Sequence, residues 1–243
     1  MPAVFSAFLN INDAKRVSEV VEKLLENDLR ECALAGGLAV EARLRDCGRP
    51  TDYGRTLNDV DLVVGDFNAI PTALAAGFVV NHVHPYAPEG KTLLQVIDRE
   101  RTLRVDLFRA FGATLSRACV MDDQTGPLRV LAVEDLVART TAYVCGRLRN
   151  GLEIDPKHVR AFTRLADLGR PEQLSDAWQD HRQDVPGSLE EATQEAHELL
   201  RRHPELVVSD QYSTTIAACE RCQDYGPFRA ASPRTIVEIL GYW

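Results

Sequence analysis

Asp59-Val60-Asp61-Leu62-Val63-Val64, closed by Gly65, is the most strand-like run in the chain. Branched and aliphatic residues fill it from Val60 onward, and a glycine ends it. Side chains two apart on a strand share a face, so Asp59 and Asp61 point together while Val60 and Leu62 enter a core. Two carboxylates that close repel, and apolar surroundings make their joint ionisation costly unless a cation sits between them. Arg104-Val105-Asp106-Leu107-Phe108 reads as a second strand with one acid at its centre. Paired beside the first, it makes Asp106 the third carboxylate of a set suited to one or two hard divalent cations. Upstream, Gly36-Gly37 lies at a strand-to-helix junction, where missing side chains let a phosphate approach backbone N–H groups. A lone Asp-x-Asp is common. The weight lies in the order glycine pair, acid pair, single acid on an alternating helix and strand background.

Outward from this centre, Ala14, Val17, Val20, Val21, Leu24 and Leu25 recur at helical spacing, with Asn12 as the expected N-cap. Cys32-Ala33-Leu34-Ala35 is a short apolar strand, and a helix is expected from Leu38 through Leu44 until Gly48, Pro50 and Gly54 break it. Asp66 is expected to cap a short helix reaching Leu74 and closed by Gly77. Residues 78–80, 92–97 and 103–108 read as further strands. The pattern predicts an α+β fold around a small mixed sheet, not a doubly wound repeat. Past the turn-rich Asp122-Asp123-Gln124-Thr125-Gly126-Pro127 the chain becomes helical, over 133–148, from Asp155-Pro156 to 168, over 171–178 and over 188–202. Ser188 and Glu191 make a capping-box pattern. A catalytic α+β domain over 1–125 and a mostly helical domain over 126–243 are therefore expected.

With 243 residues, 45% of them hydrophobic and 26% charged, the chain is too long for one small core and too ordinary in composition for disorder or collagen. A net charge of −8 excludes a general nucleic-acid coat and an anionic-membrane binder, so a polyanion would have to be met locally. Arginines crowd the stretch from Arg99 to Arg170, either as solvated helix faces or as a basic wall for a polyphosphate. No apolar run reaches the ~20 residues that cross a bilayer, and Met1 to Leu9 lacks a basic leader, so the expectation is a cytoplasmic protein with no membrane partner. Six scattered cysteines then read as reduced thiols.

Ala35-Gly36-Gly37-Leu38-Ala39-Val40, then Arg55-Thr56-Leu57-Asn58-Asp59-Val60-Asp61-Leu62, then Val105-Asp106-Leu107 resemble the nucleotidyltransferase superfamily with the DNA polymerase β-like fold. The nearest branch is the AbiEii-type toxin and minimal nucleotidyltransferase group, whose Pro-Glu-Asp-Leu-Ile-Ala helix start is similar to Val133-Glu134-Asp135-Leu136-Val137-Ala138. The likeness spans roughly residues 32–168. It implies a polymerase β-like mixed sheet flanked by helices, with Asp59, Asp61 and Asp106 as catalytic metal ligands for Mg²⁺ or Mn²⁺. Asp59 and Asp61 would bind the metal pair carrying a triphosphate, and Asp106 would bind the second metal and help to activate the acceptor hydroxyl. Gly36, Gly37, Arg55 and Lys157 would bind the nucleotide phosphates. The implied reaction is in-line attack on the α-phosphate of an NTP donor with release of pyrophosphate, the acceptor being an RNA end, a protein or a small molecule. A toxin role would add a cognate antitoxin as partner. Leu38 stands where the family often has a hydroxyl residue, Thr140 where it has a lysine, and His158 where an acid usually follows Lys157. These departures motivate an alternative, a catalytically degenerate nucleotide- or partner-binding protein that keeps the fold.

Weaker signals are ordinary by comparison. Cys219-Glu220-Arg221-Cys222 with His197 and His203 could be drawn as a zinc site, yet the spacing matches no standard finger. His82 and His84 are candidate cleft residues that are more often half-exposed surface histidines, and His158, beside Lys157, is a candidate base or acceptor contact. Trp178 and Trp243 read as core or interface anchors.

Overall fold

The computed structural model describes residues 4–208 apart from 28, 30, 55–56, 66–69, 71–73, 87–89, 99, 101–102 and 124–125. Among the described residues the chain forms two compact units, one running to Ala110 and including Ala118–Val130, the other comprising Phe111–Arg117 and residues 131–208.

The first unit is built on seven strands: β1 (Cys32–Leu34), β2 (Asp59–Val64), β3 (Phe78–Tyr86), β4 (Gly90–Asp98), β5 (Arg104–Arg109), β6 (Cys119–Asp123) and β7 (Gly126–Val130). Their order across the sheet is β3-β4-β5-β2-β1-β7-β6. β2 runs parallel to β5 and β1 parallel to β7, while the remaining neighbours are antiparallel. The fold is therefore α+β with a mixed sheet. Val60, Leu62, Val105 and Leu107 are buried from the central strands, as period-two alternation requires.

Helix α1 (Ile11–Glu26) buries Ala14, Val17, Val20, Val21 and Leu24. Its cap is Asn10, not Asn12: the Asn10 side chain accepts from the Asn12 and Asp13 amides at 3.1 and 3.0 Å. Helix α2 (Gly36–Asp46) begins at the glycines, two residues before the apolar run suggests, and packs against β2. Glu41 and Arg43 are buried within it. Glu41 accepts the Asp52 amide at 2.8 Å and Arg43 donates to the Val130 carbonyl at 2.8 Å, so α2 anchors both the following loop and β7. Of the helix expected from Asp66, residues 66–69 and 71–73 lie outside the described residues, and a short α3 (Leu74–Gly77) follows. The β3/β4 hairpin is longer than expected. His82, His84 and Pro85 are poor strand signals, and register shifts beside His82 and Pro85 accommodate them on an edge strand.

At 125/126 the chain is still within the sheet. Residues 124–125 are flanked by β6 and β7, which pair with each other, and Val130 of β7 pairs with Leu34 of β1. The sheet therefore extends to Val130, and the helical unit resumes at Leu131. Turn-forming residues look alike in a hairpin and in a linker.

The second unit holds α4 (Thr114–Arg117), α5 (Val133–Arg149), α6 (Pro156–Leu165), α7 (Pro171–His181) and α8 (Leu189–Arg202). Val144, Cys145, Leu148, Phe162 and Trp178 form its core, with the Trp178 indole donating to the Gly187 carbonyl at 2.9 Å. The Ser188–Glu191 capping box forms as expected, and Asp155 caps α6. The acids opening α5 are structural. Glu134 accepts the Arg170 amide at 2.9 Å. Asp135, fully buried, accepts two hydrogen bonds from Arg117 at 3.0 and 2.6 Å and lies 2.9 Å from His181 Nε2. Burial works against the Asp135 charge, but His181 and Arg117 outweigh it and hold this carboxyl below its ordinary range. Among the described residues no helix is long and apolar enough to cross a membrane.

Removing one partner of a buried pair leaves an uncompensated charge, so Arg117→Met should cost about 3–5 kcal/mol at neutral pH. The Asp135 contribution is present above its unfolded pKa and lost as pH falls through its depressed folded value. The penalty measured by urea denaturation should therefore shrink between about pH 7 and about pH 3. A penalty independent of pH would assign the loss to packing alone.

Candidate active site

The parallel register of β2 and β5 sets Asp59 beside Arg104 and Asp61 beside Asp106. Laterally paired residues share a face, so these four polar side chains project together, and Gln95 joins them from β4, opposite Asp106. Each of Asp59, Asp61 and Asp106 offers an oxygen within 4.8 Å of the others. Asp59 and Asp61 are half-buried and Asp106 is buried. The expected triad is thus assembled.

Arg104 serves two of its members. It is ion-paired to Asp59, and its Nε lies 3.3 Å from Asp106 Oδ1. Burial opposes the guanidinium charge, but Asp106 and Asp59 together raise its pKa. Burial also pushes the Asp106 carboxyl up to about 6, with Asp59 adding to the rise while Arg104 and a hydrogen bond from Gln95 oppose it. Asp106 Oδ1 is buried and accepts no hydrogen bond. A cluster of hard oxygen donors, one of them buried and short of a hydrogen-bond partner, fits a divalent cation. The three carboxylates could hold one.

The glycine pair meets the same cluster. The Ala35 amide donates to the Asp61 carbonyl at 2.8 Å, which draws the chain leaving β1 against β2. Gly36 follows at φ +58, and a Cβ there would overlap the Asp61 carboxylate. Gly36 is thus required both by its backbone conformation and by the space Asp61 fills. Gly37 continues the first turn of α2, which has no side-chain cap. Leu38, at the position noted for its missing hydroxyl, is buried in the core.

Arg55 lies outside the described residues. Lys157 stands on α6 of the second unit, and its neighbour His158 packs its ring 4.6 Å from that of Tyr143. Burial and Lys157 push the His158 pKa down to about 4, so it is neutral near neutrality. His197 packs on Phe162 at 4.8 Å and His203 lies 3.1 Å from Glu205. Cys219, Cys222 and Trp243 lie outside the described residues, as do the side chains of His82 and His84. Sequence reasoning missed Arg104 and Gln95 as site residues. Arg104 stands two positions before Asp106, so strand alternation could have found it; Gln95 needed the β4/β5 register.

No protein family matches the chain, and no curated protein does. Among solved structures, an antigenic nucleotidyltransferase-like protein from Paracoccidioides brasiliensis is similar at 17% identity and a TM-score of 0.43, over 89% of this chain and 99% of that one. A likeness that distant assigns no activity, and the functional reading rests on the carboxylate face.

Gly36→Ala adds a clash with Asp61 to the strain of a left-handed residue and should destabilise the protein by about 2 kcal/mol or more in denaturant titration. A cost of only about 1 kcal/mol would mean that Asp61 moves aside and that the left-handed backbone alone is strained. The raised Asp106 pKa favours the folded state fully below its unfolded value of 3.8, and that contribution is lost as pH rises through about 6. In chelator, Asp106→Asn should therefore melt above wild type at about pH 8, with the gap closing toward about pH 4.

Proposed function

We propose that the chain is a metal-dependent nucleotidyltransferase of the polymerase β-like superfamily, moving an NMP from an NTP to an acceptor hydroxyl with release of pyrophosphate. The observation that carries this reading is the register that brings Asp61 beside Asp106 with Gly36 packed on Asp61. Asp59, Asp61 and Asp106 would hold Mg²⁺ or Mn²⁺, which when bound supplies Lewis-acid stabilisation of the attacking and leaving oxygens. The uncapped first turn of α2, at Gly36 and Gly37, presents backbone N–H groups suited to phosphate oxygens. Asp106 would also help to activate the acceptor hydroxyl. Arg55 and Lys157 belong to the proposal as phosphate contacts on the resemblance of their motifs alone.

An RNA end, a protein or a small molecule suits this chemistry as acceptor. A toxin–antitoxin role with a cognate antitoxin rests on the resemblance to the AbiEii-type group. The degenerate binder is the competing reading, and the hold of Arg104 on Asp59 favours it, since an arginine among the carboxylates competes with metal.

Thermal-shift titration with each of the four NTPs, with and without Mg²⁺ or Mn²⁺, separates the two. A metal-dependent rise in melting temperature that disappears in Asp61→Asn is expected. Transfer from α-labelled NTP should fall on the order of a hundredfold or more in the same variant. Folded protein that responds to no nucleotide would support the degenerate reading.

A further inference from the structure

Arg104 has no part in the reaction as derived, yet it sits in the middle of the carboxylate face. Its fork reaches two of the three acids, Asp59 through Nη2 and Asp106 through Nε at 3.3 Å. Asp61 packs against Gly36. The Arg104 side chain is 27% exposed, so it reaches solvent from the strand end without crossing the core.

We propose that Arg104 is a built-in counter-cation, holding Asp59 and Asp106 together in the metal-free protein and leaving them when a divalent cation binds, so that it sets the affinity of the site for metal. The inference rests on the metal-binding reading of the triad. Three ionised carboxylates within 4.8 Å repel one another, and the guanidinium relieves part of that repulsion. A divalent cation would relieve it more fully, but it needs the oxygens that Arg104 engages and would face a positive charge across the same site. Arginine stays protonated under all ordinary conditions, so it resolves the conflict only by moving. A change of side-chain rotamer is sufficient, because the strand that carries it is fixed by β2 and β4 on either side. Arg104 is therefore a positioning residue for the carboxylates and a competitor of the metal.

Mn²⁺ titration followed by the EPR signal of the free ion tests this on wild type, Arg104→Gln, Arg104→Lys and Asp106→Asn, with folding checked by circular dichroism. Arg104→Gln should bind Mn²⁺ about tenfold more tightly than wild type, the scale set by losing a half-exposed ion-paired competitor. In chelator it should melt below wild type, and Mn²⁺ should raise its melting temperature by more. Arg104→Lys, whose ammonium cannot fork across two carboxylates, should fall between the two and stands in if the glutamine variant fails to fold. Equal or weaker Mn²⁺ affinity in the Arg104 variants, with binding lost in Asp106→Asn, would overturn the role of Arg104 and leave the metal site standing. No Mn²⁺ binding by wild type or by either Arg104 variant would overturn the metal reading itself, and this inference with it.

Discussion

Everything at the candidate site depends on the pairing of β2 with β5 in parallel register. Shifting that register by one residue would send Asp106 to the apolar face and bring Val105 or Leu107 among the acids. The burial of Val60 and Leu62 on one strand and Val105 and Leu107 on the other makes the slip costly, since each would lose a core contact. The apolar residues between the acids therefore do as much to build the cluster as the acids themselves. Like charges are brought together by a hydrophobic constraint that their repulsion cannot overcome.

Two buried aspartates, Asp135 and Asp106, show how such a constraint can be resolved. Asp135 opens a helix, accepts from Arg117 and faces His181, and its carboxyl is held below the ordinary range. Burial opposes the charge, but His181 and Arg117 outweigh it, as expected of a group that holds structure together. Asp106 has a buried oxygen without a hydrogen bond and a carboxyl raised to about 6. A buried acid raised in this way beside two other acids marks a candidate functional site. The same contrast separates Glu134 and Asp135 from the carboxylate face, although all five acids belong to motifs that stand out in the chain.

The glycine junction adds a second constraint to the same point. The hydrogen bond from the Ala35 amide to the Asp61 carbonyl leaves no room for a side chain on the next residue, and the left-handed turn at Gly36 starts α2 there. An open helix start is thus held against a carboxylate, an arrangement useful where a cation and an anion must be met together. Buried Glu41 and Arg43 then secure the rest of the helix to the loop after it and to β7.

Much of this was legible in the chain itself, because it depends on local periodicity. Strand alternation around Asp59-Val60-Asp61 and Arg104-Val105-Asp106, the apolar stripe of α1, the cap of α6 at Asp155 and the capping box at Ser188 all follow from neighbouring residues. The parts that escaped are non-local. β7 belongs to the sheet because it pairs with β1 nearly a hundred residues upstream. Gln95 enters the site only through the β4/β5 register, and Arg104 takes two acids because parallel pairing sets Asp59 directly beside it. The residue types and their spacing determined which side chains could share a face; the tertiary pairing alone decided which faces met, because hydrogen bonding between strands carries no record in either strand's own pattern.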